Sequence, residues 1–300
     1  MRERALALKP GDTIALVRPA GGLDQKHMDA VSKCLRSLGF FVASYPLPKK
    51  KAAYFAGSDE HRAAEWMWAF TEPGIKCVWA CRGGYGSART LELLNQKKLK
   101  KSPPKMFIGY SDLTLLHQWH LNAMNRVSFH GSILGILKPA EIKFAVNEVL
   151  KLQSKPHIQK WSEIKVLQSG SAKGVLVGGN LSLLQTSGVA ALPRQPMILA
   201  LEDVNEDFYS LDRMIWTLIH AGYAPFVKGI ILGTLKGCGA NDKKIFPFTY
   251  VEESLRRLCK GPIWTRAKFG HGLRKQRLLA LGCRVAMREK VLHYLEGQVR

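Results

Sequence analysis

Short apolar runs recur along the first half of the chain at roughly 30-residue intervals, each followed by a loop and then by apolar positions at helical spacing. The first, Thr13-Ile14-Ala15-Leu16-Val17, has the uniform character of a strand buried on both faces, and Arg18-Pro19-Ala20-Gly21-Gly22 is its loop. A helix is predicted over 24–38, ended by Gly39, and a second strand over 40–45. A helix over 58–70, begun by Ser58 and Asp59, leads past Pro73-Gly74 into a third strand over 75–81. A helix over 87–96, a strand running from Met106 into Ser111, and a last strand over 127–130 complete the series. This alternation predicts a parallel, doubly wound sheet, whose ligands sit at the carboxyl ends of the strands.

Two segments fall at such ends. Met106 to Gly109 is apolar, Ser111-Asp112 interrupts the run, and Leu113 to Leu116 resumes it with helical spacing, which reads as strand, tight turn and helix. Ser111 then stands at the apex, where a strained strand-to-helix connection presents a nucleophile and directs the following amides at the attacked group. The competing reading makes Ser111 the N-cap of the next helix, with Asp112 favourable in its first turn. The other segment is Arg82-Gly83-Gly84-Tyr85-Gly86. Its glycines lack the spacing of a dinucleotide fingerprint. As a tight turn, their amides would serve an oxyanion, and a plain need for positive φ remains the alternative.

Between 134 and 173 the pattern loosens, with Pro139, Pro156, many lysines and no strong strand. The chain is accordingly divided into an N-terminal domain over 1–135, a crossing over 136–173 and a C-terminal domain over 174–300. In the last, Val175 to Gly179 reads as strand and turn, 180–188 as a helix capped by Asn180, and 197–201 as a strand running into Glu202-Asp203. Glu202, Asp203, Glu206 and Asp207 crowd the end of that strand, although capping the helix predicted over 208–221 needs only Asp203 or Asp207. His271 stands between Gly270 and Gly272, which lets a ligand or another backbone come close; a plain loop histidine is the other reading.

Composition narrows the class. With 46% apolar residues, the 300-residue chain buries a large core, more readily in two domains than in one. The first residues lack an apolar signal region, and no run approaches the roughly 20 apolar residues of a membrane span. Six cysteines match neither a disulfide framework nor zinc spacing, so a cytoplasmic location is expected. No histidine and acid cluster has metal-ligand spacing, and neither metal nor cofactor is expected.

Charge adds a partner question: 45 Lys and Arg against 23 Asp and Glu leave +22, which invites nucleic acid, anionic membrane or acidic substrates. Basic clusters at Lys49 to Lys51, Lys97 to Lys105 and Arg266 to Arg277 carry no nucleic-acid-binding motif, so no specific nucleic acid is expected. A solvated surface, in loose contact with anionic membrane, is the plainer account. Arg82 and Arg274 are the guanidinium groups expected to pair with the carboxylates of an acidic substrate.

Ordered motifs then point to a family. Arg-Gly-Gly-Tyr-Gly at 82–86, Ile-Gly-Tyr-Ser-Asp-Leu-Thr-Leu-Leu-His at 108–117, Gly-Gly-Asn-Leu-Ser-Leu-Leu at 178–184, Leu-Glu-Asp-Val-Asn-Glu at 201–206 and Gly-His-Gly at 270–272 resemble the LD-carboxypeptidases that trim murein peptides. The related microcin-immunity peptidases look similar too. The resemblance implies an N-terminal flavodoxin-like parallel sheet with helices on both faces, a smaller C-terminal mixed α/β domain and a homodimer. It also implies a metal-free catalytic set of Ser111 as nucleophile, Glu202 and His271, with the amides of Gly84 and Asp112 as oxyanion hole. Chemistry agrees: a serine hydroxyl needs a base to take its proton, and a histidine oriented by a carboxylate is the usual one. The implied activity is serine-dependent hydrolysis of the bond before a C-terminal D-amino acid in murein tetrapeptides, during cell-wall recycling. A peptidase acting on a peptidyl-nucleotide, such as a nucleotide-linked precursor, and a non-enzymatic basic binding protein are the alternatives.

Overall fold

The computed structural model describes residues 2–48, 53–161, 163–184 and 191–300, so Lys49 to Lys51 and the end of the helix predicted over 180–188 lie outside the described residues. The chain divides into two compact units, one of Met1–Ser154, Arg274–Ala280 and Gln298–Arg300, the other of Lys155–Leu273 and Leu281–Gly297.

In chain order the first unit holds β1 (Thr13–Val17), α1 (Gln25–Ser37), β2 (Phe41–Ser44), α2 (Asp59–Thr71), β3 (Ile75–Ala80), α3 (Ser87–Glu92), α4 (Gln96–Lys101), β4 (Met106–Gly109), α5 (Thr114–Asn122), β5 (Ser128–His130) and α6 (Pro139–Leu150). Local chemistry sets these bounds. The Asp24 carboxylate accepts from the His27 amide at 2.9 Å to start α1, and Ser58 accepts from the His61 amide at 3.3 Å to start α2. The helix predicted over 87–96 is two helices, because Asn95 begins a new one by accepting from the Lys98 amide at 3.0 Å. Strands β2-β1-β3-β4-β5 lie in that order and pair in parallel, the flavodoxin-like arrangement, and the strand Leu279–Leu281 joins the sheet beside β5. Helices group as α1 with α6 and as α2 with α3 and α4. The core between sheet and helices centres on Trp66, Phe70 and Phe107, with Trp66 edge-on to Phe107 at 4.8 Å.

The stretch expected to hold no strong strand folds into α6 and two strands. Pro139 starts α6 rather than breaking it, since a first-turn residue needs no amide, and the Glu141 carboxylate accepts from the Lys138 amide at 2.8 Å. The strands β6 (His157–Lys160) and β7 (Lys165–Gln168) lie at the two edges of the second sheet, where partial exposure permits polar residues. That is why their apolar pattern is faint.

The second unit continues with β8 (Ala172–Asn180), α7 (Leu181–Leu184), β9 (Met197–Val204), α8 (Phe208–His220), β10 (Val227–Lys236), α9 (Phe248–Leu258) and β11 (Ile263–Thr265); after Leu279–Leu281, counted β12, come β13 (Arg284–Arg288) and β14 (Val291–Tyr294). Its sheet runs β6-β14-β13-β8-β9-β10-β11-β7, parallel from β8 to β11 and antiparallel outside them. The predicted caps are redistributed. Asp242, from a distant loop, accepts from the amides of Phe208 and Tyr209 at 3.0 and 2.9 Å and so caps α8, whereas Asp203 accepts from the Ser182 amide at 2.9 Å at the start of α7.

No helix among the described residues is long and apolar enough to cross a membrane. One lysine of the 97–105 cluster is structural: Lys105 is buried, its Nζ donates to the Ala69 and Glu72 carbonyls, and burial pushes it down to about 8.

Candidate active site

In the first unit, β4 ends at Gly109, and a short 3₁₀ turn over Ser111–Leu113 leads into α5. Ser111 adopts φ 66, the left-handed region that a side chain avoids unless its surroundings impose it. Two devices impose it. The His117 imidazole contacts the Gly109 carbonyl through Nε2 at 2.9 Å and Ser128 Oγ through Nδ1 at 2.8 Å, fixing the end of β4. Beyond the turn, the Thr114 hydroxyl donates to the Ser111 carbonyl at 2.7 Å. Ser111 is the first residue of the 3₁₀ turn, and the N-cap position of α5 falls to Leu113.

The glycine loop meets this turn. A Cβ on Gly83 would lie 3.0 Å from Ser111 Cβ and 3.3 Å from its Oγ, so the loop backbone approaches the serine as closely as a missing side chain allows. The buried Asp112 holds the two together: its carboxylate accepts from the Ser87 amide at 2.8 Å, and its carbonyl accepts from the Ser87 hydroxyl at 2.6 Å. Burial pushes the Asp112 carboxyl above its usual range, against the pull of the Ser87 bonds. Gly84, at φ 98, sits in the same loop. Arg82 donates from Nη1 to the Gly22 carbonyl at 2.5 Å, and Arg274 donates from Nη1 to the Ile136 carbonyl at 2.5 Å.

In the second unit, the strand predicted over 197–201 extends through Val204 as β9, so Glu202 lies within it and is fully buried. Its Oε2 accepts from the His271 backbone amide at 3.1 Å and stands 2.6 Å from the ring Nδ1. Gly270, at φ 104, makes this possible, since a Cβ there would fall 2.8 Å from Glu202 Oε2 and 2.6 Å from Thr234 Oγ1. The Thr234 hydroxyl donates to the His271 carbonyl at 2.8 Å and completes the clamp. A cleft of about 740 Å³ borders His271, at the carboxyl ends of β10 and β11, with Lys236, Arg266 and Lys268 on its walls. Next to Glu202, Asp203 accepts from Asn180, Ser182 and Val204, and burial raises its carboxyl to about 6.

The structure thus brings Glu202 to His271, and Ser111 to the glycine loop and Asp112. Sequence reasoning missed the residues that brace them: Ser87, His117 and Thr234. Ser87 and Thr234 act on segments 25 and 37 residues away, so nothing in their local patterns marks them, whereas His117 closes the 108–117 motif without its bracing contacts being visible there.

Residues 14–131 match the N-terminal domain of LD-carboxypeptidases, and residues 173–287 match the C-terminal domain. A Streptomyces coelicolor protein named as a carboxypeptidase is 32% identical over 253 residues, covering 79% of this chain and 80% of that one. The murein tetrapeptide carboxypeptidase of Pseudomonas aeruginosa is 29% identical over 283 residues, 86% of this chain and 88% of its own. The fold matches that of MccF, solved in complex with glutamyl sulfamoyl guanosine, with a TM-score of 0.87 at 22% identity over 99% of both chains. Both of its domains, in their order, make this chain a member of the LD-carboxypeptidase family.

Proposed function

We propose that this protein is a serine-type LD-carboxypeptidase that removes the C-terminal D-amino acid from murein tetrapeptides. The observation that carries the reading is the pairing of the buried Glu202 carboxylate with the partly exposed His271 imidazole, Oε2 to Nδ1 at 2.6 Å. A carboxylate only accepts, so it fixes the proton on Nδ1 and leaves Nε2 basic. In the reading, His271 Nε2 takes the Ser111 hydroxyl proton as Oγ attacks the carbonyl before the terminal residue. Amides of Gly84 and Asp112 receive the charge that develops on the carbonyl oxygen. The imidazolium then returns its proton to the departing amine, and water hydrolyses the acyl-serine by the same route. Support comes from the strained Ser111 turn, the glycine loop against it and the name of the P. aeruginosa relative.

The test is mass spectrometry of a murein tetrapeptide after incubation. Loss of one terminal D-alanine is expected, together with labelling of Ser111 by a fluorophosphonate probe that Ser111→Ala abolishes. An intact tetrapeptide and an unlabelled serine would overturn the reading.

A further inference from the structure

The strand order of the first unit reverses at β1, which is flanked by β2 on one side and β3 on the other. Crevices at such switch points are where open α/β sheets take ligands. A cleft of about 600 Å³ opens there, lined by Gly22 and Leu23 after β1, Arg82 after β3, and Tyr54 from the connection between β2 and α2.

Tyr54 is held by backbone layers. Its carbonyl accepts from the Gly22 amide at 2.9 Å, the Gly21 amide donates to the Gly83 carbonyl at 3.0 Å, and the Ala56 amide donates to the Ala20 carbonyl at 3.1 Å. Its ring stands edge-on to Phe55 at 5.4 Å, and its hydroxyl lies so close over Gly84 that a Cβ there would be 2.5 Å from Oη. Yet Tyr54 is 47% exposed, and its hydroxyl makes no hydrogen bond among the described residues. A braced ring whose hydroxyl has no partner among the described residues, beside the loop that approaches Ser111, offers a hydrogen-bond donor to the cleft.

Other charges of the cleft are occupied. Arg18 is bound to the buried Glu65 at 2.9 Å, and Asp24 accepts from the His27 amide and faces its ring at 2.7 Å. Arg82 commits Nη1 to the Gly22 carbonyl and lines the same cleft as Tyr54, with further N–H groups on its guanidinium.

We propose that the Tyr54 hydroxyl, with the Arg82 guanidinium, holds the free carboxylate of the substrate's C-terminal residue, which makes Tyr54 a specificity-determining residue. The inference rests on the peptidase reading above. An exopeptidase must tell a chain end from a mid-chain peptide, and the distinguishing group is that one carboxylate. Standard backbone dimensions put it within about 4 Å of the scissile carbonyl carbon. An Oη over Gly84, whose amide is assigned to that carbonyl, is at the matching distance scale.

The test compares a tetrapeptide ending in a free carboxylate with the same peptide ending in a carboxamide. The wild-type protein is expected to prefer the acid in kcat/KM, and Tyr54→Phe to lower that preference about ten- to hundredfold, the scale of a hydrogen bond to a charged group. A merely structural ring would change both substrates alike and leave the ratio intact, which would overturn the proposal. Calorimetry on the Ser111→Ala protein reads the same contact without turnover. There Tyr54→Phe is expected to lower the preference for acid over amide by the same ten- to hundredfold, and a preserved preference overturns the contact whether or not the peptidase reading survives.

Discussion

The Glu202 carboxylate grips His271 twice through one oxygen, at the ring Nδ1 (2.6 Å) and at the backbone amide (3.1 Å). The same group therefore sets where the histidine stands and which nitrogen carries its proton. Glu202→Gln keeps the shape and loses the charge that would stabilise an imidazolium. It is expected to lower kcat roughly 10³-fold with KM within a few-fold of wild type, measured by D-alanine release. A loss under tenfold would remove Glu202 from the reaction.

Ser111→Ala and His271→Ala are each expected to lower kcat/KM by several orders of magnitude, to a small residual rate, and the double variant to be hardly worse than either. Groups that act in one step fail together, so their effects do not add. Additive losses in residual kcat/KM would mean that the two serve different steps.

Strain at Ser111 gives a stability prediction of its own. At φ 66 a residue with a Cβ pays about 1 kcal/mol that glycine does not, part of which returns as entropy of the unfolded glycine chain. Ser111→Gly and Ser111→Ala both lose the hydroxyl, and only glycine relieves the backbone. Urea unfolding is expected to find the glycine variant at least as stable as the alanine one, with both inactive. A glycine variant less stable by more than about 1 kcal/mol would show that the turn is not strained.

Gly270→Ala is expected to disturb the same pair from its other side. The new methyl group would meet Thr234 Oγ1 at 2.6 Å and Glu202 Oε2 at 2.8 Å in a backbone at φ 104. Overpacking and the left-handed cost together come to roughly 2–4 kcal/mol, so a lowered urea midpoint and a large fall in kcat should appear in one variant. Normal activity at wild-type stability would contradict the clamp.

Much of this was legible because the first unit's strands are short, largely apolar and separated by helices, two of which have clear caps in Asp24 and Ser58. The order of those strands follows from connection rules rather than from any one residue. What escaped was non-local. Leu279–Leu281 joins β5 from far along the chain, β6 and β7 are edge strands with faint patterns, and Asp242 caps α8 from outside the acidic cluster. The site divides in the same way. Ser111 and His271 stand out against their neighbours, whereas Thr234 and Ser87 are ordinary until the fold brings them to a loop.

His117 should make stability depend on pH. Its Nε2 faces the Gly109 carbonyl, an acceptor only, so that nitrogen carries the proton and Nδ1 accepts from the Ser128 hydroxyl. The neutral ring is thus satisfied, stacked on Phe107 at 4.3 Å, and burial pushes it down from 6.5 to about 3. Below pH 6.5 the unfolded chain binds a proton that the folded one refuses, so this contribution is whole above pH 6.5 and is lost as pH falls toward 3. Between pH 6.5 and pH 5 the loss comes to roughly 2 kcal/mol. His120 behaves alike, also held at about 3 by burial, and cancels when variants are compared. His117→Gln, which still offers a donor to Gly109, is expected to be less stable than wild type at pH 7 and to close about 2 kcal/mol of that gap at pH 5, as read by urea unfolding at both pH values. A gap of unchanged size would mean that His117 takes up its proton in the folded protein as readily as in the unfolded chain.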